Sequence, residues 1–390
     1  MRTMSNERKQ SKLDELIQQY CPEGVEYIPI KSVYQRLKGT PITATKMKEI
    51  EKAHGDVRIF AGGKTVIDAY EKDIPKANIT QVPAVLVQSR GVIDAVYYDK
   101  PFTFKNEMWA YTHENKTKVK FLYYVLKNNI EKFREAASGM GSLPQISLKV
   151  TDDFLIPVPP LPVQSEIVRI LDNFTELTAE LTEELTARKK QYKYYRNKLL
   201  TFGDAQEGTT SHVEWRELSE IAEISTGSSN TDDAVQGGCY PFFVRSQQPL
   251  AKNEYEYDEE AIITAGDGVG VGKVFHYING KYALHQRAYR IHPAVDELLG
   301  KYLYHYFVTI FPKYIGQQMY QGSVPSIRRP MLNKFQVAIP SLGIQKRIVN
   351  VLDNFDAICS DLKIGLPAEI EARHKQYEYY RDKLLTFLEK

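Results

Sequence analysis

One stretch of this sequence occurs twice, and that repetition limits what the chain can fold into. Residues 187–202 read ARKKQYKYYRNKLLTF and residues 372–387 read ARHKQYEYYRDKLLTF, identical at 13 of 16 positions. Upstream, residues 164–174 (QSEIVRILDNF) match residues 345–355 (QKRIVNVLDNF) at 7 of 11 positions. The two pairs are offset by 185 and 181 residues, so the later copy has gained four residues between its blocks. Shared helical composition does not produce identity at that level, and the period is far too long for a solenoid. Fainter echoes run through the segments in front. Gly141-Ser142-Leu143-Pro144-Gln145-Ile146 answers Gly322-Ser323-Val324-Pro325-Ser326-Ile327, and Lys120 to Tyr124 answers Lys301 to His305. Val25-Glu26-Tyr27 answers Val213-Glu214-Trp215, and Gly39 answers Gly227. The chain is one unit used twice, a variable globular part followed by a nearly constant one. A duplication of this kind predicts approximate two-fold symmetry.

Hydrophobic spacing supplies the coarse structure. Pro159, Pro160 and Pro162, and later Pro340, close each variable part and preorganise the turn into a helix. Leu171, Phe174, Thr178, Leu181, Leu185, Arg188, Tyr192, Tyr195 and Leu199 then recur at spacings of three and four, a heptad seam. The second copy gives Leu352, Phe355, Cys359, Leu362 and Leu366, then Tyr377, Tyr380, Leu384 and Phe387 in a shifted frame. Four inserted residues read as a stutter of about one helical turn. Gly365 and Pro367 inside that stretch predict a kink or a break. The variable parts are mixed. Val57 to Ala61, Ala84 to Val87 and Ala261 to Thr264 are short β-type runs, whereas Leu122, Val125, Leu126, Ile130 and Phe133 mark an amphipathic helix, as do Leu299, Leu303, Tyr306, Phe307 and Ile310. Residues 203–211 (GDAQEGTTS) read as a polar linker.

Composition excludes several classes. A chain of 390 residues with 43% apolar and 26% charged residues has room for two or three cores. Met1 to Lys12 carries no apolar stretch of the secretory type, and no apolar run is long enough to cross a bilayer. Cys21, Cys239 and Cys359 lie far apart, which predicts neither a disulfide framework nor a cysteine zinc module and fits a reducing cytoplasm. Motifs for catalysis are incomplete. Gly63-Lys64-Thr65 resembles the end of a phosphate-binding loop, but Arg58 stands where its first glycine is needed. In Gly266 to Gly272, Val271 stands at the third glycine of a dinucleotide fingerprint, so a tight turn is the better reading. The eight histidines form no His-Glu-x-x-His pair, and His285 and His292 lack a third ligand. The Asn/Asp-Pro-Pro-Tyr/Phe tetrapeptide of DNA amino-methyltransferases is missing. The expectation is a protein that binds rather than reacts, with no catalytic residue and no metal.

The arrangement as a whole resembles the type I restriction-modification specificity-subunit family. The resemblance rests on a variable domain, a Gly-Ser-x-Pro-x-Ile turn, a proline-rich junction, and a helix opening Gln-x-x-Ile-Val and closing Gln-Tyr-x-Tyr-Tyr-Arg-x-Lys-Leu-Leu, all present twice. It includes the lead-in Leu13-Asp14-Glu15-Leu16 and Cys21 to Tyr27, and so covers nearly the whole chain. What it implies is an α+β fold of two pseudo-two-fold related, mixed α/β target-recognition domains, separated by a pair of long antiparallel coiled-coil helices. The expected segments are a lead-in helix at 1–20, recognition domains at 21–160 and 212–340, and spacer helices at 161–202 and 341–390. Each domain would read one half of a split, asymmetric sequence in double-stranded DNA. The resemblance also implies two methyltransferase subunits, bringing S-adenosylmethionine, and two restriction subunits using ATP and magnesium. No cofactor is expected in this chain, and no membrane. A helix from Gln164 to Phe202 would span roughly 60 Å, enough to place two readers about one DNA turn apart.

Net charge is only +2. Residues 21–160 hold 20 Lys/Arg against 16 Asp/Glu, and residues 212–340 hold 12 against 14. An acidic second domain is awkward for a free DNA binder, because phosphate neutralisation dominates affinity. Partner subunits would then supply much of the clamp, and this chain mainly base readout. Arg and Gln suit that task because each can make two hydrogen bonds to one base, guanine and adenine respectively. Candidate readers on glycine-bounded loops are Lys64, Gln88, Ser89 and Arg90, with Gly62, Gly63 and Gly91 permitting close backbone approach. In the second domain they are Arg245, Gln247, Gln248, Lys273, Gln286, Arg287, Arg328 and Arg329. Any one of them can also be read as an ordinary solvated surface residue, Arg90 and the Gln247-Gln248 pair less so than the rest. Helix pairing and subunit docking fall to Leu171, Phe174, Leu181, Tyr192, Tyr195, Leu199, Leu352, Phe355, Leu362, Tyr377, Tyr380 and Leu384. Two other classes compete: a fused or stand-alone DNA methyltransferase, against which the missing motifs count, and a coiled-coil scaffold without a DNA role, which has no reason to diversify its globular parts.

Overall fold

The computed structural model describes residues 11–138, 143–202, 213–317 and 325–390. The linker expected at 203–211 lies outside them, as do Gly141, Ser142 and Gly322 to Val324 of the repeated turn. The chain divides into two compact units, one of Met1–Glu180 with Ile370–Lys390, the other of Leu181–Glu369. Each unit therefore holds a variable part, the start of the helix that follows it, and the closing block of the other repeat copy. The three cysteines are free. Among the described residues no helix is long and apolar enough to cross a membrane.

Among the described residues the first unit has nine strands: β1 (Tyr27–Pro29), β2 (Gln35–Leu37), β3 (Val57–Phe60), β4 (Val66–Ala69), β5 (Ala84–Gln88), β6 (Asp94–Tyr98), β7 (Phe102–Phe104), β8 (Trp109–Thr112) and β9 (Leu155–Pro157). They pair in the orders β2-β8-β5-β6, β4-β3-β7 and β1-β9. The central strand β5 has both faces covered, which is why it reads as an unbroken apolar run. Val85 and Val87 join a core with Trp109, Tyr111 and the helix Lys116–Asn128, while Ala84 and Leu86 join another with Phe102 and Phe104. That helix starts at Asn115, whose side chain accepts from the Thr117 N–H at 2.9 Å, satisfying an otherwise orphaned donor.

The second unit repeats this plan with β10 (Glu214–Glu217), β11 (Ala222–Thr226), β12 (Tyr240–Phe243), β13 (Leu250–Lys252), β14 (Tyr257–Ala265), β15 (Phe275–Leu284), β16 (Ala288–Pro293) and β17 (Gln336–Ile339). One sheet runs β11-β16-β14-β15-β12-β13, and β10 pairs with β17 as β1 pairs with β9. The difference is local. In the first unit β6 and β7 are separate strands, and β3 runs parallel to β7; in the second, β15 is continuous and β12 runs parallel to it. The repeated glycine has a physical reason here. A Cβ on Gly39 would collide with the Phe104 carbonyl oxygen, and one on Gly227 with that of Leu284. Just beyond, the Thr40 N–H donates to Phe104 O at 2.7 Å and the Ser229 N–H to Leu284 O at 3.2 Å.

The first constant segment is one helix, Leu161–Leu200. The second is two, Leu342–Ser360 and Leu366–Leu384. Asp361 makes the turn between them, its carboxylate accepting from the N–H groups of Lys363 and Ile364 at 2.6 and 3.2 Å. The four extra residues thus become a turn rather than an added helical turn, and the expected break near Gly365 is present. Leu362 is corrected by this: it lies in the turn, 74% exposed, and pairs no helix. The other seam residues remain helical. Leu171 and Leu352 are fully buried, Leu384 and Tyr377 pack on the first unit's core, and Tyr192 and Leu199 on the second's. Phe174 stacks on Tyr380 at 5.6 Å, and Phe355 on Tyr192 and Tyr195 at 5.7 and 5.9 Å, so the aromatic of each opening block meets the tyrosines of the other copy's closing block. Leu181 is half-buried.

A carboxylate joint ties each variable part to its helix. Asp172 accepts from the Tyr124 hydroxyl and lies 3.3 Å from the Lys120 ammonium, which rests 4.2 Å over the Tyr97 ring. Asp353 accepts from His305 Nε2 at 2.7 Å, with Lys301 at 3.6 Å from it and 4.5 Å over the Tyr277 ring. Only the middle partner differs, tyrosine in one unit and histidine in the other. Burial pushes the His305 ring below the ordinary histidine value, against the pull of Asp353. The unfolded chain therefore takes up the proton first as pH falls below about 6.5, and the second unit loses stability there. We expect His305→Tyr, which copies the first unit's choice, to keep the stability seen at pH 7. It should also lessen the fall in melting temperature of the full chain between pH 7 and pH 5.5. A fall as steep as in the unsubstituted chain, measured by thermal denaturation, would rule out His305 as a source of acid sensitivity.

Candidate nucleic-acid interface

The repeated Pro-x-Ile segment is what shapes the candidate reading loops. In the first unit the Ile146 N–H donates to Ser89 O and the Gly91 N–H to Pro144 O, both at 2.9 Å, with Arg90 facing Gln145 between them. In the second the Ile327 N–H donates to Gly266 O at 2.7 Å and the Gly268 N–H to Pro325 O at 2.9 Å, with Asp267 facing Ser326. The two ladders are the same, residue for residue. Gly91 and Gly268 close them at φ of 78° and 81°, a left-handed conformation that glycine adopts without penalty. Arg90 and Asp267 therefore occupy one equivalent position, immediately past the central strands β5 and β14.

Around the first ladder, the turn from Ala61 to Thr65 is held by the Gly63 N–H donating to Arg90 O at 3.2 Å. It brings the exposed Lys64 beside the exposed Arg90. Gly63 has open space where a Cβ would stand, Gly91 faces Gly63 and Leu143, and Gly62 lies against the Glu107 carboxylate. Gln88 and Ser89 are corrected as surface readers. Both are buried: Gln88 ends β5 opposite Asp94 of β6, and Ser89 follows it, its carbonyl accepting from the Ile146 N–H and its hydroxyl donating to Glu107 O at 2.5 Å. Beside this ladder an open cavity of about 590 Å³ is lined by Arg36, Lys38, Asn78, Asn106, Trp109 and Gln145 among others. Sequence reasoning passed over these residues, although Gly39 next to Lys38 had been marked by the repeat.

Around the second ladder, Arg245 and Arg287 converge on one acid. Their Nη1 atoms lie 2.7 and 3.3 Å from the two oxygens of Asp267. Behind them His285 is buried, and its Nδ1 accepts from the Arg287 N–H at 2.9 Å, which fixes the loop. Burial, helped by the two arginines, pushes the His285 ring below its ordinary value and keeps it neutral. Gln286 donates to Asn230. Gln247 and Gln248 are exposed on a turn closed by Ser246, whose hydroxyl donates to Gln248 O at 2.6 Å. Lys273 and Arg328 are exposed at the ends of neighbouring segments. Arg329 is committed elsewhere, its Nη2 donating to Ile224 O at 2.7 Å. Asp267 was missed because an acid beside glycines reads as a turn residue. The signal was its offset from the Pro-x-Ile segment, which matches that of Arg90.

One cluster has the composition of a metal site: His305, Asp353 and Asp356 hold ligand atoms within 4.8 Å of one another. Its chemistry is already used in the carboxylate joint, where Lys301 supplies the cation. The first unit builds the same joint with a tyrosine in place of the histidine.

A family model described as type I restriction modification DNA specificity domain matches residues 22–188 and again 210–372. The chain is similar to a type I restriction enzyme specificity subunit of Escherichia coli, 31% identical over 395 residues, covering 93% of this chain and 94% of that one. In fold it is similar to the crystal structure of a type I restriction-modification system S subunit from M. genitalium, with a TM-score of 0.65 at 18% identity, over 93% and 96% of the two chains. A second similar chain comes from a structural study of complex assembly and conformational transition of the type I R-M system, with a TM-score of 0.51 at 16% identity, over 93% and 98%.

The ladder gives a direct test. Nothing lies within 4 Å of a Cβ placed on Gly268, so Gly268→Ala should cost only the left-handed backbone, about 1–2 kcal/mol of stability. Urea unfolding of the full chain measures it. A cost near zero would mean that the ladder does not hold Gly268 at positive φ in solution.

Proposed function

This chain belongs to the type I restriction modification DNA specificity family, and we propose that its two units each read one half of a split, asymmetric sequence in double-stranded DNA. The observation that carries this reading is the pair of equivalent ladders bearing different side chains. One frame, built twice, sets Arg90 at a given position in the first unit and Asp267 with its two arginines in the second. Identical frames with unlike readers fit two different half-sites. The chain contributes readout and assembly, not chemistry. Methyltransferase partners bring S-adenosylmethionine, and restriction partners use ATP and magnesium, as the cytoplasmic setting of such a complex supplies.

The repeat supports a reading with two copies of each partner. Tyr194 and Tyr379 occupy the same place in the two closing blocks and are 59% and 63% exposed, each edge-on to its neighbouring tyrosine. Exposed aromatics of this kind suit the core of a protein interface. Their duplication suits two copies of one methyltransferase.

Exchange of residues 212–340 for the same region of a relative, in a complex reconstituted with the methyltransferase, tests the reading. Methylated positions mapped by sequencing should show one half-site replaced and the other retained. A map in which both halves change together would sink the proposal of independent readers. This chain by itself, incubated with labelled S-adenosylmethionine and DNA, should transfer no methyl group.

A further inference from the structure

The glycine-rich loop at Gly266 to Gly272 holds two arginines by both ends. At the backbone, the Gly266 N–H donates to Arg287 O at 2.8 Å, and a Cβ there would stand 2.7 Å from that oxygen. A Cβ on Gly270 would stand 2.5 Å from Arg245 O. Larger residues at either position would push the arginine-bearing segments away. At the side chains, Asp267 meets both guanidiniums through Nη1 at 2.7 and 3.3 Å, with its own carboxylate 28% exposed. The two arginines are 40% and 60% exposed, so they lie at the surface while being fixed in direction.

A carboxylate at a DNA-facing position repels phosphate and is costly unless it has a task. Here it removes rotamer freedom from two long side chains before any ligand arrives, which is the main cost of using arginine as a reader. Each guanidinium meets Asp267 through Nη1, so its Nη2 and Nε edge is not taken up by that pairing. That edge can give two hydrogen bonds to O6 and N7 of guanine in the major groove. The equivalent position in the first unit, Arg90, carries the guanidinium itself, so the same point in the frame serves readout in both units by different means.

Resting on the half-site reading above, we infer that Asp267 is a positioning residue that presents Arg245 and Arg287 as a preset pair for guanine-containing base pairs in the second unit's half-site. It touches no base and acts through the arginines.

The test uses the complex with its methyltransferase, S-adenosylmethionine, and duplex libraries randomised one half-site at a time around the sequence that the unsubstituted complex methylates. Asp267→Asn should lower discrimination by about tenfold at the base pairs where Arg245→Lys and Arg287→Lys also lower it, since lysine keeps the charge but not the paired donors. Added to the double lysine variant, Asp267→Asn should change nothing further. The first half-site should be read as before. Asp267→Glu, which keeps the carboxylate, should recover part of the loss, and it decides the matter if the asparagine variant fails to assemble. A uniform change across all sequences, a change in the first half-site, an unaltered preference in Asp267→Asn, or an Asp267→Glu variant that discriminates no better than the double lysine variant would each overturn the inference. Absence of any split target in the unsubstituted complex would instead overturn the half-site reading itself.

Discussion

Arg90 and Asp267 at the candidate interface hang on two main-chain ladders of two hydrogen bonds each. Ser89 and Gly91 bond to Ile146 and Pro144; Gly266 and Gly268 bond to Ile327 and Pro325. Backbone pairs carry no side-chain requirement beyond a glycine that tolerates positive φ. The position between them is therefore free to vary. Such a scaffold can hold its geometry while the residue on display goes from a cation to an anion, as it does between Arg90 and Asp267. The loop is thereby held by its backbone, and the side chain on display is left free for other uses.

The formal acidity of the second unit looks different once partners are counted. Glu259 is paired with Arg290 at 2.9 Å and accepts from Tyr282; Glu260 accepts from Tyr277; Glu256 accepts from Ser229; Glu297 meets Arg216 at 2.7 Å. These carboxylates serve as acceptors for hydroxyls and guanidiniums, several of them buried, such as Tyr282, Ser229 and Arg290. Asp267 belongs to the same pattern, except that its partners are partly exposed. The charge count over residues 212–340 thus says little about the field at the loops.

The carboxylate joint explains why the helix-opening block is so similar in both copies. Asp172 and Asp353 each meet a lysine held over a tyrosine ring, and Phe174 and Phe355, two residues on, each stack on tyrosines of the other copy's closing block. Within one turn of helix, opposite faces must satisfy a globular domain and a second helix. The variable parts answer only to the first of these demands, and they diverge accordingly.

By itself the sequence determined that the chain is a duplication, where its helices open and close, and which apolar runs form the central strands. Those properties are written in local periodicity and in repetition, and each can be read without knowing what packs against what. It also marked Gly39, Gly227 and the Pro-x-Ile turns before their purpose was visible. Only the tertiary structure decided which polar residues face outward. Gln88 and Ser89 lie just ahead of a glycine as loop residues do, yet strand β6, the Pro-x-Ile segment and Glu107 cover them. Leu362 keeps the heptad spacing, yet the four extra residues turn the chain there and expose it. Asp267 became interpretable only when three loops distant in sequence brought Arg245 and Arg287 to its two oxygens. Exposure and side-chain partnership depend on contacts between segments far apart in the chain, and local pattern does not encode those.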